Sequence, residues 1–445
     1  MLKRYYIATY GCQMNVYDSE VLAGHLESMG YHAASSEDEA DVLIINTCAV
    51  RKKAEEKVFS RLGTIRELKK SRPQMIVALW GCMAQRETVV QRIKRRFKFV
   101  DLVSGPNALE RFPALLEKAA TAKETVFDLD HAGGKESLPI KRAEGFKAWI
   151  PISHGCNNYC SYCVVPYVRG PEISRLPENI INEVDELANC GFKEITLLGQ
   201  NVNSYGKDLK QKIDFADLLL HLDHRLINRS DNPPRIRFMT SHPKDLSEKS
   251  VRVIAEGRNI CEHIHLPIQS GSDELLKKMN RGYTRDYYLG LVDMIREAIP
   301  GSSITTDLIV GFPGENEEDF ALTIDLMAKV RFDAAFIFAY SPRQGTRAAG
   351  MPGQVAAKIK KKRIVQLNEL QNRIGLEKNQ GLVGSIQEVL VEGQSKTNKN
   401  MFTGRTRTNK IVHFPSAADC LGEFIDIRIE EARGWNLIGA IDRRN

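Results

Sequence analysis

The chain has 445 residues, 42% of them hydrophobic and 27% charged. At about 150 residues per domain this predicts three domains, and it excludes both a single small module and a disordered chain. The formal net charge of +7 permits a polyanionic partner without requiring one. No apolar run approaches the roughly 18 residues of a membrane span, and the start MLKRYYIATYGC lacks a secretory core, so a cytoplasmic protein without membrane insertion is expected. Nine cysteines are too few for a disulfide scaffold of this length, which raises the question of what the thiolates bind.

In chain order, YYIATY, DVLIIN and MIVALW read as short strands, separated by the helical patterns DSEVLAGHLESMG and EEKVFSRLGTIRELKK. This rhythm predicts an open parallel α/β sheet over residues 1–125. The aperiodic FDLDHAGGKESLPIKRAEG predicts a linker over 126–146. Six strand-then-helix units follow, on WIPISHG, EITLLGQN, RIRFMTS, HIHLPIQ, ITTDLIVGF and AAFIFAYS. They predict a partial or complete β/α barrel over 147–372, with an open doubly wound sheet as the alternative. A helix on KIKKKRIVQLNELQNRIGLEKNQ leads into SIQEVLVEG, FTGRTRT, KIVHF, EFIDIRI and LIGAI. These short strands, broken by Gly and Asn, predict a small antiparallel β-barrel over 373–445.

The densest chemical signal is GCNNYCSYC, which sets Cys156, Cys160 and Cys163 on one loop in a C-x3-C-x2-C run. Three converging thiolates suit an iron–sulfur cluster with one iron left open, since a closed cubane takes four cysteines. A zinc site short of its fourth ligand and a C-x-x-C redox pair on Cys160 and Cys163 are the alternatives. Cys12, Cys48 and Cys82 each stand directly after an apolar strand, in TYGC, INTC and LWGC. Parallel strands end on one sheet edge, so these three distant cysteines should meet there as a second set. Gly11 and Gly81 fit tight turns beside them, and Asn15, Asn46 and Gln85 could donate hydrogen bonds. Cys190, Cys261 and Cys420 have no such placement and read as structural.

The cysteine run with Tyr162 before its last member resembles the radical S-adenosylmethionine superfamily. Upstream strand-end cysteines and a β-barrel tail narrow the resemblance to its methylthiotransferases, built from an N-terminal cluster domain, a radical barrel and a TRAM domain. TYGCQMNVYDSE, INTCAVRKKAEEKVFSRLG, GCMAQR, CNNYCSYCVVPYVRG, LLGQNVNSYG and TSHPKDL look like the branch that acts on dimethylallyladenosine in tRNA. The resemblance implies two 4Fe-4S clusters, on Cys156, Cys160 and Cys163 and on Cys12, Cys48 and Cys82. It implies that the first cluster chelates S-adenosyl-L-methionine and cleaves it to a 5′-deoxyadenosyl radical. That radical takes hydrogen from carbon 2 of N6-(dimethylallyl)adenosine beside the anticodon, the second cluster supplies sulfur, and a second S-adenosylmethionine supplies methyl.

Candidates for holding S-adenosylmethionine, beside Tyr162, are the strand-end residues Gly199, Gln200 and Asn201, then Gln269, Ser270 and Gly271, then Asp307, Gly311 and Glu315. Arg169 and Arg281 could pair with carboxylate or phosphate, or lie solvated on the surface. For RNA, QSKTNKNMFTGRTRTNKIVH carries Lys396, Lys399, Arg405, Arg407 and Lys410 without an acidic residue, with Phe402 between them for base stacking. RIKRRFK near 92 and KIKKKR near 358 are weaker basic runs. Expected partners are the tRNA anticodon arm and a reductant such as flavodoxin or ferredoxin, with a monomer as the working state. Rival readings are the branches that modify threonylcarbamoyl-adenosine or a ribosomal-protein aspartate, and an RNA-binding iron–sulfur sensor without turnover.

Overall fold

The computed structural model describes residues 2–49, 52–133, 136–142, 145–227, 233–396 and 398–442, with residues 52–54 described by backbone alone. In the N-terminal part, β1 (Arg4–Tyr10), β2 (His32–Ala33), β3 (Val42–Thr47), β4 (Ile76–Gly81), β5 (Leu102–Ser104) and β6 (Val126–Asp128) form one sheet. Its order is β2-β1-β3-β4-β5-β6, and every neighbour pair is parallel. All six residues of β3 are buried, as in a strand covered on both faces. Val42 and Ile44 face a core shared with Leu22 and Phe112, whereas Leu43 and Ile45 face one shared with Leu62 and Ile93. Alternation along one apolar strand thus feeds two helical layers.

The expected linker, 126–146, begins as structure: β6 pairs with β5 at the sheet edge, and Leu138 and Ile140 pack on the first core. Arg111 grips Asp128 with Nε at 2.8 Å and Nη2 at 3.0 Å, and Lys141 N donates to Glu20 O at 3.0 Å. A three-residue strand is too short to display a period, which is why its sequence reads as irregular.

The central part contains β7 (Lys147–Pro151), the antiparallel pair β8 (Ser153–His154) and β9 (Ile173–Ser174), β10 (Glu194–Leu198), β11 (Arg235–Met239), β12 (His263–His265), β13 (Ser303–Val310) and β14 (Ala334–Ala339). Two parallel sheets, β11-β10-β7 and β12-β13-β14, are joined by a parallel bridge between Ile236 and Ile260. Six strands therefore run in one direction around an arc, the expected partial barrel, and helices enclose its core. The helix Ala357–Gln380 runs unbroken across the expected boundary at 372, with Leu367 in the barrel core and Asn379 Nδ2 donating to Arg433 O at 2.7 Å.

The C-terminal part is a closed five-stranded barrel of β15 (Ile386–Gln394), β16 (Met401–Thr406), β17 (Ile411–Pro415), β18 (Phe424–Ala432) and β19 (Asn436–Ile441), in order β15-β16-β17-β19-β18. Four pairings are antiparallel, and β17 with β19 is parallel. Directions cannot alternate all the way around a ring of odd number, so one parallel pair is required for closure. Among the described residues, no helix is long and apolar enough to cross a membrane.

Candidate active site

The strands β1, β3 and β4 are neighbours, and their register sets Tyr10 opposite Thr47 and Thr47 opposite Gly81. Cys12, Cys48 and Cys82 therefore leave the sheet within two residues of one aligned edge. Cys12 opens the helix Gln13–Ser28, with its amide 3.3 Å and its sulfur 3.4 Å from Asn15 Oδ1. Asn15 Nδ2 donates to Asn46 Oδ1 at 3.0 Å and Thr47 O at 3.1 Å, while Asn46 Nδ2 donates to Asn15 O at 2.8 Å. Both asparagine amides are thus committed to lacing the two turns together and do not donate to sulfur. Gly81 sits at φ +97°, where a Cβ would stand 2.6 Å from Thr47 O. A hydrogen bond from Cys48, with Arg169 nearby, pulls the Cys12 thiol down to about 5 against the opposing effect of burial.

Arg169 makes the link between the two cysteine sets. It ends the short helix Val165–Arg169 behind Cys163, yet its Nε donates to Cys82 Sγ at 3.0 Å and its Nη2 to Asp18 Oδ2 at 3.1 Å. Its side chain is 3% exposed, so the solvated alternative does not hold. Cys82 and Ala49 pack directly on Val164 and Val168. The N-terminal triad and the loop of the second triad therefore share one junction.

Cys156, Cys160 and Cys163 follow β8 on a loop pinned by backbone bonds from Cys156 N to Gly170 O at 3.2 Å and from Ser161 N to Met279 O at 3.0 Å. Cys156 and Cys160 are buried. Burial pushes the Cys163 thiol up to about 12, and a metal bound there would displace its proton. Buried Arg281 directs Nη1 to Cys160 Sγ at 3.4 Å and to the Tyr162 hydroxyl at 3.5 Å, while its Nη2 donates to Pro267 O at 2.8 Å. The loop is thereby tied to the C-terminal end of β12. Among the described residues, no three His, Cys, Asp or Glu side chains are drawn onto one point as for a single metal ion.

Along the same ends of β7, β10 and β11, buried polar atoms gather without a partner among the described residues: Ser153 Oγ, Gln200 Oε1, Asn201 Oδ1, Asn203 Nδ2, Ser241 Oγ and His242 Nε2. Unpaired buried polar atoms are unfavourable, so their concentration on one rim marks where a polar molecule would complete their bonding. Thr240, directly after β11, and Gln269, four residues after β12, both take φ +73°, backbone strain of a kind that clusters at ligand sites. Gly199 belongs here, since its Cβ position lies 3.0 Å from Ser153 Oγ. Asp307 remains partly exposed, 3.6 Å from His265 Nε2.

The remaining strand-end candidates, Ser270, Gly271, Gly311 and Glu315, make hydrogen bonds within the molecule. Ser270 Oγ accepts from Ser272 N at 3.2 Å, and Gly271 N donates to Thr323 Oγ1 at 3.0 Å against the helix Glu317–Val330. Gly311 N donates to the Glu315 carboxylate, which also accepts from Arg363 Nη1 at 2.6 Å. These four form turns and helix contacts.

Three family profiles match: an uncharacterised protein family, UPF0004, over residues 4–105, the radical SAM superfamily over 150–327 and the TRAM domain over 380–441. The chain is 52% identical over 441 residues to the tRNA-2-methylthio-N(6)-dimethylallyladenosine synthase of Natranaerobius thermophilus, covering 99% of this chain and 97% of that protein. It is 49% identical to the one of Carboxydothermus hydrogenoformans, with 99% of each chain covered. The chain belongs to the tRNA-2-methylthio-N(6)-dimethylallyladenosine synthase family. Among solved structures, the radical S-adenosylmethionine methyltransferase TsrM of Kitasatospora setae, with cobalamin and a 4Fe-4S cluster bound, superposes at a TM-score of 0.56 and 14% identity. That match covers 87% of this chain and 81% of TsrM, and shows a shared fold.

In this family member the basic stretch expected to meet RNA is largely used inside the molecule. Arg407 Nη2 donates to Glu262 Oε1 at 2.6 Å, Lys410 Nζ to Asp333 Oδ1 at 3.0 Å, and Arg405 Nε stands 3.2 Å from Glu392 Oε1. Carbonyls of the same stretch accept from barrel arginines: Arg405 O from Arg235 Nη2 at 3.0 Å and Arg407 O from Arg237 Nη1 at 2.8 Å. Phe402 is buried and stacks on Phe414. Of the five expected cations, Lys396 and Lys399 remain exposed. Sequence reading missed Asp18, Ser153, Asn203, Ser241 and His242. Three of these lie within the quoted motifs LLGQNVNSYG and TSHPKDL, which was the available signal.

Proposed function

We propose that the chain methylthiolates carbon 2 of N6-(dimethylallyl)adenosine next to the tRNA anticodon, giving 2-methylthio-N6-(dimethylallyl)adenosine, in the cytoplasm and as a monomer. The observation that carries this reading is the shared junction of the two cysteine triads, where an arginine behind Cys163 donates to Cys82. Two chemistries needed on one substrate carbon have their candidate ligands side by side. Cys156, Cys160 and Cys163 would hold a 4Fe-4S cluster that takes S-adenosylmethionine, and Cys12, Cys48 and Cys82 would hold a second. Bound there, these groups supply one-electron chemistry, sulfur and methyl, with electrons from a donor such as flavodoxin or ferredoxin.

The chain's own residues do the rest. Arg281 orients the Cys160 sulfur and fixes the loop to β12, while the orphan amides and hydroxyls near Asn201 and Ser241 bind the polar groups of the cofactor. The apolar contacts of Val164 and Val168 seat the second loop against Cys82 and Ala49. Nucleoside mass spectrometry of tRNA from a strain lacking this chain tests the reading. Loss of the methylthio nucleoside with accumulation of N6-(dimethylallyl)adenosine is expected. Loss of methylthio-threonylcarbamoyl-adenosine instead would overturn the substrate.

A further inference from the structure

A cavity of about 590 Å³ lies between the helix Glu87–Arg96 and the short helix Val165–Arg169. Its lining includes Arg92, Arg95 and Arg96 on the first, and Val164 and Tyr167 on or beside the second. Val164 and Val168, which line the cavity, cluster with Cys82, and Val164 adjoins Cys163 in sequence, so the cavity lies beside the junction of the triads. Arg95 and Arg96 also line an adjoining concavity of about 520 Å³, together with Arg66 and Lys98. From 86 to 98 the sequence RETVVQRIKRRFK carries six basic residues and one acidic residue.

What separates this surface from the 405–410 stretch of the tail barrel is the state of its charges. Arg405, Arg407 and Lys410 are ion-paired with carboxylates of the molecule itself. By contrast, Arg92, Arg95, Arg96 and Lys98 have no acidic partner among the described residues, although Arg86 pairs with Glu55. Arg92 is preset by stacking at 3.6 Å on Phe59, and Arg66 lies over Phe97 and Phe99. Tyr167 and Tyr159 are 47% and 46% exposed and meet edge to face at 6.1 Å, beside the cysteine loop. Exposed aromatic rings next to an unpaired cationic track are the recognition chemistry of unstacked RNA bases and their phosphates.

We propose that this groove of the N-terminal domain docks the anticodon arm, with phosphates along Arg92, Arg95 and Arg96 and an unstacked base against Tyr167 beside the triad junction. The inference rests on the tRNA reading above and gives it a surface. An acidic redox protein could also meet a basic patch, but a concave groove floored by tyrosine favours a nucleotide over a flat protein contact.

The test uses the full-length, cluster-loaded chain and a tRNA anticodon stem-loop carrying N6-(dimethylallyl)adenosine, with affinity measured across salt concentrations. The triple variant Arg92→Gln, Arg95→Gln, Arg96→Gln is expected to lower the salt slope by about 2 to 3, at roughly 0.7 to 0.9 per phosphate contact. The corresponding triple Lys variant keeps the charge and should keep the slope. Tyr167→Ala should weaken binding about tenfold, and Tyr167→Phe should not, because the ring is what stacks. An unchanged slope in the Gln triple overturns the assignment. An unchanged slope with slower reduction by an acidic flavodoxin transfers the surface to the electron donor and overturns it as well. No binding by the unaltered chain would remove the tRNA substrate itself, which the Gln variant alone cannot do.

Discussion

Arg169 and Arg281 each place a buried guanidinium N–H against a cysteine sulfur, one on each triad. Sequence singled both out as anion partners. It could not show that the partner is a cysteine sulfur, because Cys82 lies 87 residues from Arg169 and Cys160 lies 121 from Arg281. Breaking one partner of a buried ion pair is strongly destabilising, so Arg169→Met is expected to lower stability by about 3 to 5 kcal/mol. Guanidinium unfolding checks this, and a change within 1 kcal/mol, about fivefold in the equilibrium, would mean the Asp18 pair is not structural. Gly81→Ala is a backbone test of the same turn. With φ at +97° and Thr47 O 2.6 Å from the added carbon, it should cost about 1 to 3 kcal/mol and reduce iron retained at the N-terminal triad. Iron content equal to that of the unaltered chain would show that the turn does not position Cys82.

At the scale of elements, the strand-end cysteines were legible because long apolar runs fix β1, β3 and β4, and parallel register then aligns their ends. The five tail strands were legible too, although the parallel pairing of β17 with β19 departs from the antiparallel barrel expected. The three-residue β6 was not, for want of a period. Nor was the docking of the tail barrel, which depends on Glu194 at the start of β10 holding Arg235 Nε at 2.7 Å and Arg237 Nε at 2.5 Å. Those two arginines reach the carbonyls of 405–407. Although burial opposes it, the neighbouring Arg237, Arg235 and Lys147 hold the Glu194 carboxyl down at about 2, against an ordinary 4.5. A depressed folded value contributes stability that is fully present above about 4.5 and is lost as pH falls towards about 2. Glu194→Gln is therefore expected to lower the melting temperature at pH 7 and to flatten its fall between pH 4.5 and 2. A parallel pH profile in the two proteins would place the acid sensitivity elsewhere.

Across the whole molecule, three domains meet so that two cysteine triads converge on one junction while the tail barrel is bolted to the far end of the barrel strands. Its cations looked available in sequence because their partners Glu262 and Asp333 lie 145 and 77 residues away. The division of labour between the triads is the central claim. The most direct measurement follows 5′-deoxyadenosine and methylthiolated nucleoside together, in reduced, reconstituted Cys160→Ala and Cys48→Ala proteins supplied with S-adenosylmethionine and substrate tRNA. The account predicts that Cys160→Ala forms neither product, whereas Cys48→Ala still forms 5′-deoxyadenosine and no methylthio nucleoside. Equal loss of 5′-deoxyadenosine in both variants would contradict it.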